Sequence, residues 1–345
     1  MSAFRFTLVV FALSFFSPCA LAQDSPKTVK VIRAGMIGLD TSHAIAFTRM
    51  LNDPKATGDV ASVKVVAGFP GGSPDIESSR SRVGKYTEQL RGMGIEIVDS
   101  IPKLLEKVDV VLLESVDGRP HLEQVIPVFK AGKPVFIDKP LAGSLSDAIV
   151  IAELGKRYKV PWFSSSSLRF SSGIAAMRGE HKAVGNVTGC ITWGPCSIER
   201  THPDLFWYGV HGVESLYTVM GPGCQTVARV HTDGTDIVTG VWSDGRVGVF
   251  RGIRAGKGGF GGTVFGSKGI APLGKFEGYG PLIVEIAAFF KTNRPPIDVN
   301  ETIELFAFME AADESKRNGG KAVKIEDVMA KAKRIAALKL GEVSK

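Results

Sequence analysis

From residue 29 to about residue 166, short β-rich apolar runs alternate with segments of helical period, and this rhythm constrains the fold more than any other feature of the chain. The candidate strands are "VKVIRAGMIG", "SVKVVAGF", "IEIVDS", "DVVLLESV", "KPVFIDKP" and "VPWFSSS". Between them lie "AIAFTRMLND", "SRSRVGKYTEQLRGMG", "IPKLLEKV", "HLEQVIPVFKAG" and "LSDAIVIAELGKRYK". Parallel neighbours need long crossover connections, so regular βα alternation predicts a doubly wound parallel sheet with helices on both faces. Ligands of such sheets sit beyond the carboxyl ends of the strands, near the switch point, which gathers "GLDTSH", "FPGGS", "ESVDGRPH" and "DKPLAG" around one cleft. After residue 170 the rhythm changes to longer strand-like runs with Gly-rich turns: "NVTGCITWG", "CQTVARVHT", "TDIVTGVWSDGRVGVFRGI" and "GGTVFGSKG". Three helix candidates accompany them, "DLFWYGVHGVESLYTVMG", "LIVEIAAFFKT" and "ETIELFAFMEAADESKRNGG". This predicts a mostly antiparallel sheet with a few helices.

Residues 1–22 read as a cleaved export signal: Arg5, the apolar run "FTLVVFALSFF", then the small-x-small site Ala20–Ala22. The run falls well short of the ~20 residues that span a bilayer, so the expectation is an exported protein starting near Gln23, with no membrane association after cleavage. Cleavage removes one base and no acid, taking the formal charge from +7 to +6. Bases and acids are interspersed, which argues against a nucleic-acid partner. Cys190, Cys196 and Cys224 remain, without a C-x-x-C pair, so neither a zinc site nor a disulfide framework is indicated. A Cys190–Cys196 bridge and buried free thiols both stay open.

Four stretches in this order carry a resemblance: "IG" with its turn at 37–43, "RPHLEQVIPVFKAGKPVFIDKPLAGSLSDA" at 119–148, "GVHGVESLYTVMG" at 209–221 and "FFKTNRPPIDVNETIELFAFMEAADESKRNGG" near the end. They resemble the glucose-fructose oxidoreductase, inositol dehydrogenase and rhizopine-catabolism family, Gfo/Idh/MocA, over nearly all of the chain after residue 28. The resemblance implies an α/β protein: a Rossmann-type domain at 28–150 binding NAD or NADP, then an α+β domain at 151–345 whose open, mostly antiparallel sheet carries a sugar or polyol site and an oligomer interface. It implies a homo-oligomer acting on a small carbohydrate.

The family's glycine loop is G-x-G-x-x-G, whose glycines permit the turn, the approach of the pyrophosphate and helix packing. Here Gly38 is the first. Without a gap Asp40 and His43 stand at the other two positions; with a shortened loop His43 matches the family's frequent histidine in the first helix. If Asp40 faced the phosphates, its charge would oppose them by roughly 1 to 4 kcal/mol at ~4 Å; otherwise Asp40 or Thr41 caps the helix that starts near Ser42. The ribose-binding acid after the second strand is missing, and Gly71, Gly72 and Ser73 offer a backbone nest instead, with Arg80 and Arg82 beyond suiting a 2′-phosphate.

"DKP" at Asp138–Pro140 matches the family's E-K-P with the acid shortened, so the resemblance places Lys139 between cofactor and substrate. His211 matches the family's D-x-G-x-H histidine, an acid/base group whose pKa lies near neutrality. The family's aspartate one turn before it is Trp207 here, which can stack on a sugar but cannot accept a proton. Glu214, on the same helical face, is expected to orient His211. Arg169 and Tyr208 are expected near the substrate, and His121 at the cofactor or in a helix cap. Three functions fit: an NAD(P)-linked oxidoreductase acting on a sugar or polyol hydroxyl, a redox-assisted glycoside hydrolase or lyase with retained NAD, and a non-catalytic carbohydrate-binding relative.

Overall fold

The computed structural model describes residues 1, 3, 4 and 31–343; the proposed export signal at 1–22 lies outside the described residues apart from Met1, Ala3 and Phe4. Six strands form the first sheet: β1 (Ile32–Ile37), β2 (Val63–Phe69), β3 (Glu96–Ile97), β4 (Val110–Leu113), β5 (Val135–Ile137) and β6 (Trp162–Ser164). All neighbours are parallel, in the order β3-β2-β1-β4-β5-β6. The crossovers are α1 (Ser42–Leu51), α2 (Glu77–Gly92), α3 (Ile101–Leu105), α4 (His121–Lys130) and α5 (Leu145–Tyr158). Every residue of β4, β5 and β6 is buried, as strands covered on both faces must be. The strand order reverses between β1 and β4, so the switch point of this doubly wound sheet lies between their carboxyl ends.

After a short helix α6 (Ser172–Ala175) the chain builds a second sheet from β7 (Glu180–His181), β8 (Gly185–Pro195), β9 (Cys224–Thr232), β10 (Thr235–Trp242), β11 (Val247–Ile253), β12 (Gly261–Gly266), β13 (Ile270–Pro272) and β14 (Val323–Lys324). Its order is β13-β12-β8-β11-β10-β9-β14, with β7 paired to β8, and only the β8–β11 pair is parallel. The expected α/β architecture is therefore present, with the antiparallel sheet second. One strand-like run, "TDIVTGVWSDGRVGVFRGI", is the β10–β11 hairpin, turned at Ser243–Arg246.

The run "DLFWYGVHGVESLYTVMG" is two helices, α7 (Asp204–Trp207) and α8 (Val210–Met220), broken where Tyr208 leaves helical geometry at φ −131°. All of α8 is buried. Gly212 permits its close approach to the sheet, since a Cβ there would lie 2.2 Å from the Phe250 ring. Three further helices complete the chain: α9 (Gly280–Thr292), α10 (Val299–Arg317) and α11 (Ile325–Val343).

Two features correct the division at residue 150. The sixth parallel strand, β6, follows that residue, because a parallel strand can join only after its α5 crossover. The late helix α9 belongs to the first sheet's packing: Phe289 meets Phe163 edge to face at 5.1 Å, in a core that includes Phe47 and Phe136.

Candidate functional site

A cleft of ≈ 580 Å³ opens beyond the switch point, within the size range of small-ligand sites. Its walls come from four places: Thr41–His43 at the start of α1, the first turns of α2, the segment after β5, and the second part of the chain through Trp207, Tyr208, His211, Phe260, Phe276 and Tyr279. Thr41 starts α1 as its N-cap, its hydroxyl accepting from the His43 amide, so the N-terminal end of α1 opens into the cleft.

The floor is ionic. His43 pairs through Nδ1 with Asp138 Oδ2 at 2.6 Å, and Asp138 Oδ1 accepts from the Lys139 amide at 2.8 Å. Burial pushes the Asp138 carboxyl up, but the charge and hydrogen bond of His43, then Lys139, bring it below its ordinary value. Glu114, at the end of β4, is fully buried, and neither of its carboxyl oxygens has a hydrogen-bond partner among the described residues. Burial, then the neighbouring Asp138 charge, hold that carboxyl well above the usual range. Lys139 lines the cleft with its ammonium 5.7 Å from the Tyr208 ring centre, and burial lowers its pKa against the pull of Asp138 and Glu114.

Above the floor, the His211 ring lies 5.0 Å from the ring of Tyr208, so Lys139 and His211 both lie beside the same tyrosine. Burial, then the charges of Lys139 and His43, hold His211 well below its ordinary pKa. Its Nδ1 is hydrogen-bonded to Ser166 Oγ at 2.7 Å. That bond corrects the expected partnership with Glu214, whose carboxylate is taken by Arg169 and by Ser165 Oγ. Arg169 also donates to Glu301 at 2.7 Å. Arg169 and Glu214 thus form a buried ion-pair node behind the cleft and do not line it, because a desolvated guanidinium is held by carboxylates on both sides.

The side of the crevice toward β2 is tied shut. Gly38, at φ +86°, donates to Phe69 O, and a Cβ on it would lie 2.4 Å from the Ser115 amide nitrogen. Asp40 is turned inward and fully buried, accepting from Ser79 Oγ at 2.6 Å and from the Val116 amide at 2.9 Å. It neither caps α1 nor faces the cleft, which removes the repulsion feared from its charge. Ser73 donates through Oγ to Asp117 at 2.6 Å, while its amide donates to Ser79 Oγ. Gly71, Gly72 and Ser73 lie outside the cleft lining, and so does His121, whose ring nitrogens contact the carbonyls of Leu141 and Ser115. His121 therefore staples two turns together. Of the two arginines, Arg82 lines the cleft and Arg80 pairs with Glu77 on the surface of α2.

Of the residues singled out by sequence, the cleft collects Thr41, Ser42, His43, Arg82, Lys139, Trp207, Tyr208 and His211, with Asp138 in its floor. Sequence reasoning missed Glu114, Ser166, Phe260, Phe276 and Tyr279. The three aromatics sit among glycines in "GKGGFGG" and "GKFEGYG", a pattern that marks turns presenting one large side chain. Cys190, Cys196 and Cys224 are buried free thiols in this structure, with no Cys190–Cys196 bridge, and burial pushes their pKa values up to about 12.

Residues 32–165 match the family model of the Gfo/Idh/MocA oxidoreductases with an NAD-binding Rossmann fold. An inositol 2-dehydrogenase 3 of Saccharopolyspora erythraea is 30% identical over 200 residues, covering 54% of this chain and 52% of the relative. The match thus spans about half the length of that curated protein. Among solved structures, a probable dehydrogenase from Thermotoga maritima superposes with a TM-score of 0.69 at 20% identity, over 86% of this chain and 100% of its own. The scyllo-inositol dehydrogenase of Lactobacillus casei, solved with bound NAD(H) and scyllo-inositol, gives 0.66 at 13% identity over 86% and 100%. Residues 32–165 thus carry the NAD-binding Rossmann fold of the Gfo/Idh/MocA oxidoreductases, and the second sheet completes a fold shared with the superposed structures.

Proposed function

We propose that the protein oxidises or reduces a hydroxyl-bearing carbon of a polyol or sugar, using NAD(H) or NADP(H). The observation that carries this reading is that Lys139 and His211 line one cleft, both beside Tyr208, with Trp207 in its wall. The residues present fit the cofactor in two respects. The start of α1, with Thr41 and Ser42 and with Arg82 across from it, suits an anionic phosphate, and Asp40 is turned away. When bound, the nicotinamide supplies the hydride acceptor or donor.

The chain's own groups manage the proton. His211, kept neutral by burial and by Lys139, is a base at neutral pH. In the tautomer whose Nδ1–H donates to Ser166 Oγ, Nε2 is the basic nitrogen left for a hydroxyl proton. Lys139 donates from its ammonium to the same oxygen as negative charge develops, a role that burial favours by loosening its proton. Trp207, in place of an acid, offers an apolar face for a sugar or cyclitol ring.

Reduction of NAD⁺ and NADP⁺ should be followed spectroscopically against a panel of inositols, aldoses and sugar acids. Turnover with one of them supports the reading. Saturable sugar binding without turnover would replace it with a carbohydrate-binding protein that has kept the fold. Export by residues 1–22 remains part of the proposal, checked by N-terminal sequencing of protein from its native host. So does homo-oligomerisation, supported by Val230, Val241 and Val247 exposed on the outer face of the second sheet and checked by analytical ultracentrifugation.

A further inference from the structure

We propose that His43, Glu114 and Asp138 form a divalent-cation site in the floor of the cleft, with Zn²⁺ or Mn²⁺ as its ion. The three residues come from the start of α1 and the ends of β4 and β5, so the switch point itself brings them together. One ligand atom from each lies within 4.8 Å of the others, and all three side chains are buried. His43 Nδ1 stands 2.6 Å from Asp138 Oδ2 and 3.9 Å from Glu114 Oε2. Ligands at roughly 2.0 to 2.1 Å from a tetrahedral ion are spaced by about 3.3 Å, so the observed pair of distances brackets what binding needs.

Glu114 is the independent observation. Its carboxyl is fully buried beside Asp138, and no amide, hydroxyl or side-chain nitrogen among the described residues donates to either oxygen. An unpaired buried acid is costly and calls for an ion or a specific role. Two carboxylates balance the charge of a divalent ion and outweigh the opposing ammonium of Lys139. One imidazole with two carboxylates suits Zn²⁺ or Mn²⁺ better than Mg²⁺ or Ca²⁺, which favour all-oxygen sets. Since His43 lines the cleft, an ion can reach the site from there, and a hydroxyl or carboxylate oxygen of a ligand can complete its coordination. This inference does not depend on the oxidoreductase reading.

The test is calorimetric titration of chelator-treated full-length protein with ZnCl₂ and with MnCl₂, beside Glu114→Gln and His43→Gln. The expected result is one equivalent bound by the wild type and affinity weakened by about tenfold or more in each variant, with the circular dichroism spectra unchanged. Spin-echo EPR of the Mn²⁺-loaded wild type should show coupling to one imidazole nitrogen, and this readout stands even if a variant fails to fold. No saturable binding, equal affinity in a folded Glu114→Gln, or Mn²⁺ without nitrogen coupling overturns the site and leaves the cluster as carboxyl groups sharing a proton.

Discussion

The crevice beyond the strand ends has two sides built from similar residues and put to opposite uses. Toward β2, Asp40, Ser73, Ser79 and Asp117 spend their polar groups on one another and on the Val116 amide, and the Gly38 amide donates to Phe69 O. Toward β5, Thr41, Ser42, His43, Lys139 and His211 keep polar atoms facing a cleft. Both sides hold a buried aspartate. Asp40 is satisfied by an amide and a hydroxyl, whereas Asp138 is engaged by an ionisable partner beside an unpaired Glu114. Hydrogen-bond saturation, more than residue type or burial, separates the side that holds the fold from the side open to chemistry.

The contrast is sharpest at Lys139. Lys139→Met should lower turnover of whichever polyol or sugar proves active by on the order of 10² to 10⁴, with little change in thermal stability. Loss of stability without loss of rate would move Lys139 to the structural side. Gly38→Ala should do the reverse. Its φ of +86° and the Ser115 backbone at 2.4 Å leave no place for a methyl group, so a destabilisation of roughly 3 kcal/mol should appear in chemical denaturation. Full stability in that variant would mean that the tied side can open.

Asp40→Ala is a gentler probe. It strands the Val116 amide and the Ser79 hydroxyl, at a cost of about 1 to 3 kcal/mol, and should leave dinucleotide affinity unimproved because the carboxylate faces inward. Tighter cofactor binding in calorimetry would show instead that Asp40 reaches the phosphates. The smallest effect is a pH dependence. Folded His211 binds its proton less readily than a histidine in the unfolded chain, so the unfolded state takes up more protons at acid pH. Stability therefore falls as the pH drops below about 6.5. His211→Asn should flatten that part of the stability profile, and an unchanged slope would assign it to another group.

Local pattern made much of this legible. The apolar runs of β4 and β5 stood out because strands buried on both faces need unbroken hydrophobic sequence. Thr41 was read as one of two caps, and the structure chose it over Asp40. The helix α11 escaped notice although Ile325, Val328, Ala332 and Ala336 repeat at helical spacing, since lysines and alanines dilute the apolar stripe.

What the sequence determined by itself was the succession of elements, hence the parallel sheet, its switch point and the residues at its strand ends, because periodicity and turn chemistry are local properties. What only the tertiary structure decided was which polar groups at those ends find partners. Arg169 was expected at the substrate and Glu214 beside His211, and the two became an ion pair. Glu214 yielded His211 to Ser166, and Asp40 turned away from the cleft. The pairs concerned lie 39 to 76 positions apart, and each forms only when separate elements pack. Desolvation then makes every unmet hydrogen bond costly enough to choose among the partners within reach.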